Sequence, residues 1–203
     1  AFREDWRARE PAWWNAPVPA FGDPDARLAI VGLAPGLRGA NRTGRPFTGD
    51  YAGDLLYATL ARHGFANGRF DARPDDGLEL RGCRIINAVR CVPPENKPTG
   101  SEIAACRPFL AAELDAMPRL EIVVALGRIA HDAALRARGL RPKDAAFAHG
   151  AVAELPGLAL FDSYHCSRYN TNTGRLTSAM FEAVFAAVRA RLGGDAASPA
   201  PSG

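Results

Sequence analysis

The feature that most limits what this chain can fold into is a short stretch with no polar face. Residues 27–33 (RLAIVGL) are apolar at almost every position and run straight into a glycine-rich loop. A surface helix would space its apolar residues at i, i+3 and i+4, and a half-buried strand would alternate. A run apolar on both faces belongs in a parallel sheet covered by helices. Three further stretches read as strands: 83–90, 121–126 and 158–164. Between them the spacing predicts helices over 51–63, 102–116 and 128–138. A last helix is predicted over 174–192, with Leu176, Met180, Val184 and Val188 on one stripe. Strands alternating with helices give an α/β fold with a parallel sheet sandwiched by helices.

The length of 203 residues suits one α/β domain, expected over 1–192, and two full domains would be tight. Trp6, Trp13 and Trp14 are expected to pack an N-terminal arm onto it. The segment 193–203 is Gly, Ala, Pro and Ser with one Asp, a composition expected to be disordered. A net charge of +3 permits a nucleic-acid partner without arguing for one. No apolar run reaches the length of a membrane span and no signal peptide is visible, so the expected location is cytoplasmic. In that compartment the four cysteines, Cys83, Cys91, Cys106 and Cys166, are not expected to form disulfides.

The candidate site lies where an open parallel sheet binds its ligands, beyond the carboxyl ends of the strands. The first strand ends in GLAPG (32–36) and a long loop, NRTGRPFTGD (41–50). The second carries Asn87 in an otherwise apolar run. The fourth ends in YHCSRYN (164–170). The backbone at Ala34, Pro35 and Gly36 is either a tight turn or a set of N–H donors for an anionic oxygen. Asn87 is either a satisfied core amide or a reader of a base edge, with one donor and one acceptor that complement N3–H and O4 of uracil. Phe47 is either core or a ring that stacks on an extruded base. His165 has the strongest functional case of the four histidines. His63, His131 and His149 are expected on helices or the surface without polar partners. Ser167 and Arg168 are either phosphate contacts or solvated loop residues.

Taken together, GLAPG at 32–36, NRTGRPFTGD at 41–50, NAVRC at 87–91 followed by PPENKPT, ALGRIA at 125–130, and His165 with Ser167, Arg168, Asn170 and TGRLT at 173–177 resemble the uracil-DNA glycosylase superfamily. The likeness is specifically to its family 5 branch. It implies a three-layer αβα sandwich around a four-stranded parallel sheet. It also implies a monomeric enzyme that flips uracil, and with it hypoxanthine or other deaminated bases, out of DNA and hydrolyses the N-glycosidic bond. Carried onto this chain, Phe47 stacks on the base, Asn87 reads its edge, His165 bonds to uracil O2, and Ala34, Pro35 and Gly36 line the pocket.

Two features depart from what the superfamily usually shows. Leu33, Ala34 and Gly36 occupy the stretch where related enzymes often carry a water-orienting Asp, Glu or Asn; family 5 also lacks a carboxylate there, which supports that branch. The nearest candidates are Asn41 and Asp50. Asp50 is taken for the role, with capping of the helix at 51 as the alternative. Families 4 and 5 also hold a [4Fe–4S] cluster through four cysteines. Cys91 and Cys106 match two of them, while no cysteine precedes Cys83 to supply the upstream pair. Either an upstream segment is missing from the sequence, which the start at Ala1 favours, or the cluster is lost.

Overall fold

The computed structural model describes residues 2–193. The expectation of disorder over 193–203 concerns a segment that, apart from Gly193, lies outside the described residues. In chain order the elements are α1 (Phe2–Arg9), β1 (Phe21–Gly22), β2 (Leu28–Gly32), α2 (Ala40–Thr43), α3 (Tyr51–Arg62), β3 (Ala66–Asn67), β4 (Glu79–Leu80) and β5 (Cys83–Asn87). There follow α4 (Gly100–Asp115), β6 (Ile122–Leu126), α5 (Arg128–Ala137), β7 (Val152–Leu155), β8 (Leu158–Ser163), α6 (Arg168–Asn172) and α7 (Ser178–Arg191).

The main sheet has the order β1-β5-β2-β6-β8-β7. Its four central strands, β5, β2, β6 and β8, are parallel, as the doubly apolar runs require. Short antiparallel strands, β1 against β5 and β7 against β8, extend it to six. A β3–β4 hairpin forms a separate small sheet.

Side chains alternate across the sheet and feed two cores. Leu28 and Ile30 of β2, with Val124 of β6, meet Leu56 and Leu60 of α3 and Phe181 and Phe185 of α7. Ala29 and Val31, with Val123 and Ala125, meet Leu110 and Leu114 of α4 and Ala134 and Leu135 of α5. These are the three layers expected. The Thr99 hydroxyl accepts from Glu102 N while the Glu102 carboxylate accepts from Thr99 N, a reciprocal cap that starts α4.

The predicted helix over 174–192 begins later, at Ser178, where the Thr177 side chain accepts from Met180 N. Residues 168–172 form the separate short α6 instead, capped by Ser167 Oγ accepting from Asn170 N. His131 corrects the expectation of a histidine without polar partners. It is buried, with Nδ1 at 2.8 Å from Asp162 Oδ1 and Nε2 at 3.1 Å from the Ala145 carbonyl. Both neighbours can accept, an arrangement that favours the doubly protonated ring. Burial alone would lower its pKa, and the Asp162 carboxylate reverses the sign and raises it.

Candidate active site

The parallel register brings the strand ends level. Gly32, the last residue of β2, pairs with Asn87, the last of β5, and Ala88 N donates to the Gly32 carbonyl. Past that edge opens a cleft of about 590 Å³, bordered by Ala34, Gly36, Phe47, Asp50, Asn87, His165, Ser167 and Arg168 among others. Residues more than a hundred positions apart thus share one cavity because each follows a parallel strand or its loop. Pro35 does not border the cleft; it lies between two residues that do.

Asn87 is 5% exposed, and its Oδ1 is buried without a hydrogen-bond partner. A buried, unpaired amide oxygen is costly unless something is meant to bind it. The space it uses exists because residue 32 is glycine. A Cβ there would stand 2.6 Å from Asn87 Oδ1 and 2.7 Å from the Phe47 ring.

Phe47 has φ of 55°, in the left-handed region that L side chains rarely adopt. Its ring centroid lies 6.1 Å from that of His165, at an interplanar angle of 28°. His165 follows β8, and Asn170 Nδ2 donates to its carbonyl at 2.8 Å, tying the loop to α6. Burial pushes the His165 pKa down to about 4, so the imidazole is neutral at pH 7.

Asp50 caps a helix and also borders the cleft. One carboxylate oxygen accepts from Gly53 N at 3.2 Å and caps α3. The other faces Gly36 and Gly39, where added Cβ atoms would stand 3.2 and 3.0 Å from it. Burial raises the Asp50 pKa above its ordinary value. Asn41, the other candidate, is fully buried and is not among the residues bordering the cleft; its Nδ2 donates to Asn15 Oδ1 at 2.9 Å, tying it to the N-terminal arm, while its Oδ1 has no partner.

Ser167 and Arg168 both border the cleft, Ser167 as a helix cap and Arg168 as an exposed cation 5.5 Å above the Tyr51 ring. Sequence reasoning missed Asn96, whose Oδ1 accepts from Leu37 N at 3.1 Å across the cleft mouth. Its place in a proline-rich loop after β5 was the available signal.

Cys91 and Cys106 are free, half-buried thiols, and Arg3 Nη1 donates to Cys91 Sγ at 3.3 Å. Among the described residues no three His, Cys, Asp or Glu side chains gather as a metal site. Two thiols do not by themselves complete a four-ligand cluster site. No helix among the described residues is long and apolar enough to cross a membrane.

Comparison with known proteins agrees with this geometry. Residues 19–189 match the family model for the uracil DNA glycosylase superfamily. The chain is 49% identical over 187 residues to the type-5 uracil-DNA glycosylase of Thermus thermophilus, covering 89% of this chain and 85% of that protein. It is 45% identical to the type-5 uracil-DNA glycosylase of Pyrobaculum aerophilum, over 82% of this chain and 72% of that one. The type-4 uracil-DNA glycosylase of Sulfurisphaera tokodaii is 39% identical over only 55% of this chain and 44% of its own length. With a strand-end cleft built from Asn87, Phe47, Asp50 and His165 and a family match spanning most of its length, this chain belongs to the uracil-DNA glycosylase superfamily.

Proposed function

We propose that this protein is a DNA glycosylase that takes a flipped uracil into the strand-end cleft and hydrolyses its N-glycosidic bond. The observation that carries this reading is the unpartnered Asn87 Oδ1, buried at the cleft floor. The carboxamide offers one acceptor and one donor side by side, the complement of uracil N3–H and O4. Cytosine presents the reverse pattern and leaves both groups mismatched. Hypoxanthine carries the same N–H beside C=O, so the proposal extends to it and to other deaminated bases.

The chemistry follows from the groups present. The C1′–N1 bond breaks with its electron pair departing on the base, where the charge spreads onto O2. A neutral His165 donates a hydrogen bond to that oxygen without transferring a proton, and Phe47 supplies the stacking face. Donors aimed at developing charge in a dry site are each worth about 2.7–4 kcal/mol of transition-state stabilisation. The Asp50 oxygen that faces Gly36 and Gly39 orients a water whose oxygen adds to C1′ and whose proton is lost toward the carboxylate. Ser167 and Arg168, at the rim, are assigned to the phosphodiester backbone.

The test is incubation with a uracil-containing oligonucleotide and alkaline cleavage of the abasic product. Scission that depends on protein supports the reading, and none above background at excess protein refutes it. We further read residues 1–192 as one glycosylase domain, acting as a monomer in the cytoplasm. Cys91 and Cys106 would provide two of the four thiolates of a [4Fe–4S] cluster, and the sequence holds no upstream pair to complete it. Iron and acid-labile sulfide in the purified protein test that assignment, and their absence overturns it.

A further inference from the structure

The turn that carries Phe47 and Asp50 is held from behind by a buried ion pair that the chemistry above does not use. Arg45 Nη1 and Nη2 donate to the two carboxylate oxygens of Asp76 at 2.8 and 2.7 Å, with side chains only 5% and 1% exposed. Asp76 also accepts from Asp71 N and Leu78 N, so each of its oxygens takes two donors. Arg45 Nε donates to Thr48 Oγ1 at 2.9 Å, inside the turn. The guanidinium sits among three rings, Phe21, Tyr57 and Phe70, at 5.1 to 5.7 Å. The Tyr57 hydroxyl donates to the Pro46 carbonyl at 2.6 Å, one residue before Phe47. Arg45, Asp76 and Tyr57 do not border the cleft.

A buried ion pair seldom stabilises a fold better than apolar packing would, but a two-pronged guanidinium–carboxylate contact fixes direction as well as distance. What needs fixing is two residues away: Phe47 is held in a left-handed backbone conformation. We propose that Arg45, Asp76 and Tyr57 form a clamp that sets the position of the Phe47 ring over the base. They are positioning residues for excision, and this inference rests on the glycosylase reading. Asp76 belongs to the segment leading into β4, so a remote part of the fold governs the aromatic wall of the cleft.

Single-turnover excision of uracil is to be measured for Tyr57→Phe and Asp76→Asn, each alone and combined with Phe47→Ala, alongside affinity for uracil-free duplex. A wild-type protein without excision refutes the glycosylase reading itself. In an active wild type, Tyr57→Phe is expected to slow excision about tenfold and Asp76→Asn about a hundredfold, with duplex affinity unchanged. In the Phe47→Ala background both effects shrink to within about twofold, because the clamp then has no ring to place. The same loss in both backgrounds, or no loss in either, overturns the clamp.

Should Asp76→Asn not fold, the Tyr57→Phe cycle decides alone. Amide hydrogen exchange reads the clamp without activity. Faster exchange confined to 45–50 in Tyr57→Phe supports it, and unchanged or uniformly faster exchange overturns it.

Discussion

Replacing Gly32 with alanine adds one methyl group at the point where two walls of the cleft meet. The backbone tolerates it, because Gly32 does not have the positive φ that favours glycine. The obstacle is space. The new Cβ would stand 2.6 Å from Asn87 Oδ1 and 2.7 Å from the Phe47 ring, where ordinary contact begins at 3.4 Å. The amide oxygen must therefore retreat by about 0.8 Å and the ring by about 0.7 Å. Asn87 cannot follow as a unit, since β5 is paired to β2 along its whole length. Overpacking of this kind destabilises a fold by about 1–3 kcal/mol. Displacing reactive groups by nearly an ångström lowers the rate by about a hundredfold. Single-turnover excision of uracil, read beside a thermal melt, separates the two effects. A variant that melts lower but excises within about threefold of wild type, far short of the loss expected from such a displacement, refutes the idea that Gly32 makes room for base reading.

Asn87→Ala removes the base-reading pair and should lower uracil excision by orders of magnitude, and a near-normal rate would contradict its role. Asp50→Asn keeps a good cap for α3 but loses the charge, whereas Asp50→Ala loses both. The expected pattern is equal loss of excision in the two variants, with only the alanine variant melting lower by about 1 kcal/mol of stability; full activity in Asp50→Asn would assign the carboxylate to capping alone. His165→Ala should slow uracil excision more than that of bases that are already better leaving groups, and a uniform loss counts against leaving-group stabilisation. His165 also contributes to acid sensitivity. Its folded pKa of about 4 lies below the ordinary 6.5, so between those values the unfolded chain binds a proton that the folded chain does not. Stability therefore falls as pH drops from about 6.5 toward 4, and a denaturation series of His165→Ala should show a shallower fall over that window.

The four central strands were legible because burial on both faces leaves a local mark, a run without polar alternation. That Phe47, Asn87 and His165 would border one cleft could be read because they stand at the ends of those runs or in the glycine-rich loop that follows the first. The edge strands β1 and β7 were not, being two and four residues long with no periodicity to read. The His131–Asp162 pair and the removal of Asn41 to the N-terminal arm depend on neighbours distant in sequence. The start of the last helix was misplaced because 170–175 is rich in capping residues; α6 takes up 168–172, and Thr177 caps the last helix. Pro35 shows the limit of carrying over a motif, since a residue can shape a loop without facing the cavity.

The walls of the cleft differ in how they can move. Asn87 ends a strand paired to β2 along its whole length, so displacing its backbone means breaking that pairing, at close to the free energy of global unfolding. Phe47 rides on a turn outside the sheet, so displacing it means opening that turn together with the Arg45–Asp76 pair behind it rather than the sheet. Motion of the cleft should then be one-sided: the strand end carrying Asn87 stays fixed, and the aromatic wall moves when the pair behind it opens.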